Sequence, residues 1–442
     1  MKKIMFALAL ALMCGAANAQ ISTAIADAKA AVEAAEAATE NAKKASKPAT
    51  WLKVAQAYMS AYTAPQGGVF VGQSKAETIV VMGKERKPRI SKVTIMGQQM
   101  EKYAYSTVNV YFAANGTVGM IEIIKPVYKN ALAKALDAYK KAYELDTKGQ
   151  KKKEITAAIE KITKYYTEEA YTAYQVANYK KASYCFENAY KAGVTEPYAK
   201  KDIELIFNAG FTAHSAKDFN RAKRLLGQCL KENYYGENGD VFVKLADIAS
   251  QNEDKEAGMA ESKKYLEQGF EKFPQSQGIL VGLINYYQTT GDNPDELFKL
   301  LDKAKANEPN NASLYYVEGN VHKSLGNGEK AVEAYRKCAQ VNPKYEYGYI
   351  GEGIYFYDSA IDYQQKANAE TDNAKYSELA LQFENALKSC IEPFEKAYEL
   401  TKDANVKKSI AEYLKQACFR FRTSSDDMMA KYEKYAKAVQ AQ

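Results

Sequence analysis

The chain has 442 residues, with 61 Lys and Arg against 54 Asp and Glu, a formal charge of +7. So mild an excess over that length carries no nucleic-acid footprint, and two histidines, His214 and His322, are too few for His-based metal centres and for most His-dependent catalysis. Tyrosine is the outlier, 35 residues against 16 Phe and one Trp.

Residues 1–19 have the pattern of an export signal. Lys2 and Lys3 precede an apolar stretch from Ile4 to Met13, and Ala17-Asn18-Ala19 fits the small-x-small cleavage pattern, so the expected cut falls before Gln20. The apolar stretch is too short to cross a bilayer, which takes roughly 20 residues, and no later segment of the chain is long and apolar enough, so no transmembrane segment is expected. Cys14 follows Ala11-Leu12-Met13, which lacks the Leu at the third position upstream and the small residue that lipidation needs. The expected location is periplasmic or secreted. Cys185, Cys229, Cys338, Cys390 and Cys418 remain, an odd number set among Ala and aromatic residues at helical spacing, and they read as small buried hydrophobes.

An Ala-rich helix is expected over 20–47, with Ala24, Ala28, Ala31, Ala35 and Ala38 on one stripe. Residues 48–65 form a second helix carrying Trp51, Val54, Ala55 and Tyr58. Over 66–126 the 3.6-residue period is lost. Ser74, with Glu77 three residues on, is a capping box that opens a short helix to Gly83. Ile90, Val93 and Ile95 lie in a β-rich run. Val108, Val110 and Phe112 alternate, Asn115-Gly116 turns the chain, and Val118, Met120 and Ile123 follow. The expected order is helix, strand, strand, strand, a small α+β insertion.

Helical periodicity returns for 127–343. Ala135, Tyr139 and Ala142 supply the partner that the helix 48–65 lacks, so the insertion splits a first helix pair. Pro309 and Pro343 are 34 residues apart, and between them stand Tyr315, Gly319, His322, Ala331, Tyr335 and Cys338. Ala170, Ala182, Phe186 and Ala189 repeat the pattern, as do Gly210, Ala222, Leu226 and Cys229. Ala246, Leu266 and Gly269 follow, then Asn285, Leu297, Leu301 and Ala304. Small residues let two helices approach, aromatics fill the space between pairs, Gly326-Asn327-Gly328 turns the chain, and Pro ends the second helix. Residues 344–401 open another unit with Tyr349, Gly353 and Phe356, whose second helix is delayed to Cys390, Phe394 and Ala397 by a helical insertion near 358–385. Residues 402–442 read as C-terminal capping helices. The spacing resembles the tetratricopeptide repeat (TPR), in an exported Gram-negative envelope type. The resemblance implies a mostly α, right-handed α-solenoid of about eight helix pairs, with the α+β insertion in the first repeat. The insertion itself is similar to the small lipoprotein of the outer-membrane barrel assembly machinery, through Gly72-Gln73-Ser74-Lys75 to Met82-Gly83 and Tyr111 to Gly116. No function is carried over from that likeness.

No Gly-x-Ser-x-Gly, phosphate loop or His-Glu-x-x-His motif is present. The expectation is a non-enzymatic interaction scaffold with no cofactor and no metal. The TPR resemblance places its binding surface on the inner face of the first helix of each pair. Residue by residue that face is Tyr171 and Tyr174; Phe207, Phe211 and His214; Asp247; Tyr286 and Thr290; Tyr316, Asn320 and Lys323; Tyr347, Ile354 and Tyr357. The expected partner is an envelope protein or peptide, with a polysaccharide or cell-wall glycan as the alternative and no nucleic acid. Asn320 sits where some family members place the Asn of a carboxylate clamp, but Tyr316 stands where the clamp needs Lys. Two short motifs remain. Lys148 to Lys153 is a solvated turn or a docking patch for an acidic partner or lipid headgroup, and Asp358-Ser359-Ala360 matches a three-residue O-glycosylation pattern.

Overall fold

A computed structural model describes residues 22–83 and 87–440, with the side chain of Gln288 set aside. The expected signal, its cleavage site and Cys14 lie outside the described residues. The chain forms two compact units, divided between Gly236 and Glu237. The division falls inside the array expected over 127–343, at a loop where Gly236 and Gly239 both take positive φ.

In the first unit, residues 22–39 form α1, followed by α2 (Ala42–Ala45), α3 (Pro48–Thr63) and a 3-10 turn at Ala64–Gln66. Then come α4 (Lys75–Met82), β1 (Arg89–Ile95), β2 (Gln98–Ala104), β3 (Val108–Phe112) and β4 (Val118–Ile123). Helices α5 (Ala131–Leu145), α6 (Lys152–Gln175), α7 (Tyr179–Gly193), α8 (Ile203–Ser215) and α9 (Phe219–Lys231) complete it. Helix α3 packs on α5 across the insertion, α6 on α7 and α8 on α9. The split first pair is therefore real. Tyr58, late in α3, accepts a hydrogen bond at 2.8 Å from Lys134, early in α5, so the two run antiparallel.

The four strands make one antiparallel sheet in the order β1-β2-β3-β4. The sequence expectation had three strands and missed β2. Its residues, Gln98-Gln99-Met100-Glu101-Lys102-Tyr103-Ala104, hold none of the β-branched types that mark a strand. What makes the hairpin is its turn. Met96 and Gly97 both have positive φ (50° and 78°) and Ile95 pairs with Gln98, the two-residue loop whose twist suits adjoining strands. Helix α4 opens on the expected capping box, with Ser74 and Glu77 exchanging hydrogen bonds. Val69, Met82, Tyr103, Val108, Val110, Phe112 and Val118 close into a separate small core.

The second unit holds α10 (Asp240–Ser250), α11 (Lys255–Lys272), α12 (Gln277–Thr290), α13 (Asp295–Asn307), α14 (Ala312–Ser324) and α15 (Gly328–Val341). Next are α16 (Glu346–Ala369), α17 (Asn373–Ser389), α18 (Ile391–Leu400), α19 (Ala404–Phe421) and α20 (Asp426–Gln440). The delayed second helix is α18. Its delay comes from α16 running on to Ala369 and returning as α17. The fold class is the expected one: mostly α, TPR-like helix pairs with a small α+β insertion.

One turn recurs between the helices of a pair. Asn178, Asp218 and Asn327 each donate their N–H to the carbonyl five residues back, on Ala173, Ala213 and His322, at 2.8–2.9 Å. The side chains of Asn178 and Asp218 then cap the next helix. One packing contact recurs as well. A small residue on the first helix faces a large one sixteen positions later, Gly210 with Leu226 and Gly319 with Tyr335, and Ala170 and Phe186 keep the same spacing. A Cβ on Gly210 would lie 2.8 Å from Leu226, and one on Gly319 would lie 2.4 Å from Tyr335. All five cysteines of the described residues are buried thiols inside this packing, and burial pushes Cys185, Cys229, Cys338 and Cys390 up to about 12.

Candidate functional site

In the second unit the first helices α12, α14 and α16 line a groove of about 400 Å³. Val281 and Ile284 come from α12, Tyr316, Asn320 and Lys323 from α14, and Ile354 from α16. These residues share the groove because helical spacing puts them on one face. Val317 and Val321 of α14 also border the groove, though both are buried in the helix packing.

The groove floor is built on Tyr335 of α15, which is 1% exposed. Its ring edge lies between Gly319 and Gly351, where an added Cβ would stand 2.4 Å and 2.5 Å from the same Cε1. Burial raises the Tyr335 phenol above its ordinary value, so it stays protonated and donates to Asn320 Oδ1 at 2.8 Å. That bond fixes the carboxamide and leaves its N–H donors for a ligand carbonyl. Lys323 reaches Asp358 at 2.6 Å. From the buried Tyr335 the aromatics continue outward. Tyr316 lies 6.0 Å from Tyr335, Tyr347 5.6 Å from Tyr316, and Tyr345 5.3 Å from Tyr347, with tilted rings. Tyr347 is 37% exposed.

Of the residues expected in this part of the face, Tyr316, Asn320, Lys323 and Ile354 line the groove and Tyr347 continues its aromatic edge. Tyr286 does not join them. It is buried in the core cluster with Leu266, Leu283 and Leu301, and its hydroxyl donates to Asp292 Oδ2 at 2.5 Å. The position rule fails there because Tyr286 and Tyr287 pack edge to face beneath α12, and Lys263 of α11 lies 5.5 Å from the Tyr286 ring. Thr290 is exposed and donates back to the Tyr286 carbonyl. Asp247 is exposed on α10. Tyr357 turns away to the C-terminal helices, donating to Gln416 and meeting the Tyr413 ring at 4.8 Å. Val281 and Tyr345 were not anticipated. Val281 is 48% exposed in a run of apolar residues whose partition between core and groove the sequence does not mark.

The first unit carries the remaining expected residues. Tyr171 is 48% exposed, meets Phe186 edge-on at 5.1 Å and lines a 160 Å³ hollow between α6 and α8. Tyr174 rests against Tyr179, and Phe207 against Phe211 and Tyr234. His214 lies 5.8 Å from Phe219. His322 is stacked on Phe298 at 4.4 Å, and burial lowers its pKa. Ser359 lies inside α16 and donates to the Tyr355 carbonyl, and Ala360 beside it is buried, so the glycosylation pattern sits in packed helix. No group of three or more His, Cys, Asp or Glu among the described residues could hold a metal ion, and no described helix is long and apolar enough to cross a membrane.

No family model and no curated protein matches the chain. Solved structures do resemble it. A tetratricopeptide repeat protein from Parabacteroides merdae is 14% identical over 64% of this chain and 93% of that one, with a TM-score of 0.29. YrrB, described as a TPR protein with an unusual peptide-binding site, is 18% identical over 41% of this chain and 88% of that one, with a TM-score of 0.25. A monomeric IFIT1 mutant solved with Gppp-AAAA is 15% identical over 69% of each chain, with a TM-score of 0.30. Likeness at this level concerns the fold alone.

Proposed function

We propose that the protein is a non-enzymatic interaction scaffold of the bacterial cell envelope that holds an extended segment of a partner protein in the α12–α14–α16 groove. The observation that carries this reading is the pairing of an apolar wall, Val281, Tyr316 and Ile354, with one oriented amide, Asn320. An extended peptide offers both complements, side chains for the wall and backbone carbonyls for the amide. Tyrosine suits such a wall because its rigid ring gives much contact area at low entropic cost. Lys323, already paired with Asp358, adds a charge-balanced rim and no carboxylate clamp. The export signal at 1–19, with its cut before Gln20, supports the envelope location, and N-terminal sequencing of the native protein tests it: a chain beginning at Met1 refutes it.

The binding test is capture from envelope extracts by the immobilised protein, followed by titration of the partner so identified. Tyr316→Ala combined with Asn320→Ala is expected to weaken binding ~10-fold or more, since one lost hot spot commonly costs ~2 kcal/mol, with helical content unchanged by circular dichroism. Undiminished capture by that variant removes the groove from the account. Binding of the groove to a glycan array, with no protein captured, replaces the peptide with a sugar.

A further inference from the structure

The two units differ sharply in charge. Residues 1–236 carry 35 Lys and Arg against 21 Asp and Glu, a charge of +14, whereas residues 237–442 carry 26 against 33, a charge of −7. Much of the positive excess gathers at one end of the first helix layer. Helices α3 and α5 are antiparallel, as the Tyr58–Lys134 bond shows. Helices α3 and α6 run parallel, because Gln56 bonds Glu154 early in α6 while Tyr62 meets Tyr165 further along. The start of α3, the end of α5 and the start of α6 therefore lie together.

The turn into α3 presents Lys43, Lys44 and Lys47, and the α5–α6 loop presents Lys148, Lys152 and Lys153. All six are exposed, and none ion-pairs with a described residue. The acidic groups at this end are largely engaged. Glu144 holds Lys141 at 2.9 Å, and Glu154 holds Lys151 at 3.1 Å. Asp146 accepts the backbone N–H groups of Gln150 and Lys151 at 3.1 Å and 2.6 Å. Of the acidic residues in 40–47 and 144–154, Glu40 is left to oppose the six lysines.

Both segments are held rather than slack. Trp51 Nε1 donates to the Ala45 carbonyl at 2.8 Å and Thr50 to the Lys44 carbonyl at 2.7 Å, while Asp146 clasps the second loop. A fixed lysine array has a chemistry of its own. Lysine is a point charge without the guanidinium fork that reads planar groups. The cluster contains no arginine. A surface that presents many diffuse negative charges suits it better than one partner that must be held in register.

We propose that this end of the first unit docks electrostatically on an anionic phospholipid bilayer, leaving the groove of the second unit for its protein partner. Each lysine near an anionic surface contributes about fivefold in partitioning, and the attraction is screened by salt.

The test is flotation of the full chain with vesicles of phosphatidylcholine containing about 30% phosphatidylglycerol, and with phosphatidylcholine alone. Binding is expected to the anionic vesicles only and to fall steeply between about 50 mM and 500 mM salt. Lys148→Gln, Lys152→Gln and Lys153→Gln together, or Lys43→Gln, Lys44→Gln and Lys47→Gln together, are each expected to lower partitioning about a hundredfold. The equally conservative triple Lys337→Gln, Lys344→Gln and Lys375→Gln in the second unit is expected to leave it unchanged. Circular dichroism checks that each variant is folded. Absence of binding to anionic vesicles overturns the proposal, as does loss of binding in the second-unit triple alone. Binding to a soluble polyanion such as heparin without binding to vesicles overturns it in favour of an acidic macromolecular partner.

Discussion

Tyr335 stands between two helices that touch it through glycine, and this makes a sharp stability prediction. In Gly319→Ala the new methyl would sit 2.4 Å from Tyr335 Cε1 and 2.5 Å from Cδ1, more than 1 Å inside the ~3.5–4.0 Å of an ordinary carbon contact. The ring has nowhere to go, because Gly351 approaches the same edge to the same degree. Overpacking of this kind costs ~1–3 kcal/mol. The substitution also gains up to ~1 kcal/mol of helix propensity, so the net expected loss is ~1–2 kcal/mol. Gly227 in α9 is the internal contrast. Nothing lies within 4 Å of its added Cβ, so Gly227→Ala keeps the propensity gain and should stabilise by ~0.5–1 kcal/mol. Because repeat arrays depart from all-or-none unfolding, hydrogen exchange is the better assay. Peptides spanning α14–α16 should exchange roughly 5- to 30-fold faster in Gly319→Ala, while those of α9 slow in Gly227→Ala. Gly319→Ala combined with Tyr335→Leu should recover part of the protection. Unchanged or greater protection in Gly319→Ala alone refutes the glycine clamp, the close seating of Tyr335 between Gly319 and Gly351.

The cysteines should be inert: with burial holding Cys185 and Cys390 at about 12, a thiol reagent at pH 8 is expected to label those two only after denaturation. Burial alone would raise the pKa of Glu187, but Lys191, Arg221 and Arg224 more than offset this and depress it. Its contribution is therefore present above the unfolded value near 4.5 and lost as pH falls through the lower folded value, so Glu187→Gln should destabilise at pH 7 and match the parent in strong acid, read by thermal melting. His322 is depressed by burial against Phe298. The unfolded state then binds the extra proton, so stability should fall as pH drops below about 6.5, and His322→Phe should flatten that slope.

Much of the fold was legible because its rules are local. The small residue at Gly319 and the large one at Tyr335 identify each other by spacing, and Pro309 and Pro343 mark the period. The split first pair was legible for the same reason: Tyr58 and Ala135 each fit half a repeat that nothing adjacent completes. What could not be read was set by tertiary choice. β2 exists because the Met96-Gly97 turn folds a polar segment back on β1, and propensity gives no sign of it. The division at Gly236 depends on how helices contact across a loop, which no single repeat encodes.

The groove shows the same limit at the level of one side chain. Tyr286 and Tyr316 both hold an inner-face position, yet one ring is core and the other lines the groove. The difference lies in the neighbours. On α12 the inner-face Tyr286 is followed by Tyr287, and two adjacent rings packed edge to face need room that only the core offers. Around α14 the core space is already filled by Tyr335, held between Gly319 and Gly351, and Tyr316 is left half-buried with its tilted ring 6.0 Å from that of Tyr335. The glycine clamp thus does two things: it closes the helix layer, and it displaces an aromatic into the groove while orienting Asn320 beside it. Stability and recognition should then separate cleanly. Tyr286→Ala removes a buried aromatic and is expected to cost ~3–5 kcal/mol of stability, whereas Tyr316→Ala should cost less stability and more affinity. If Tyr286→Ala instead melts like the parent and loses the partner, the ring belongs to the groove and this account of the clamp is wrong.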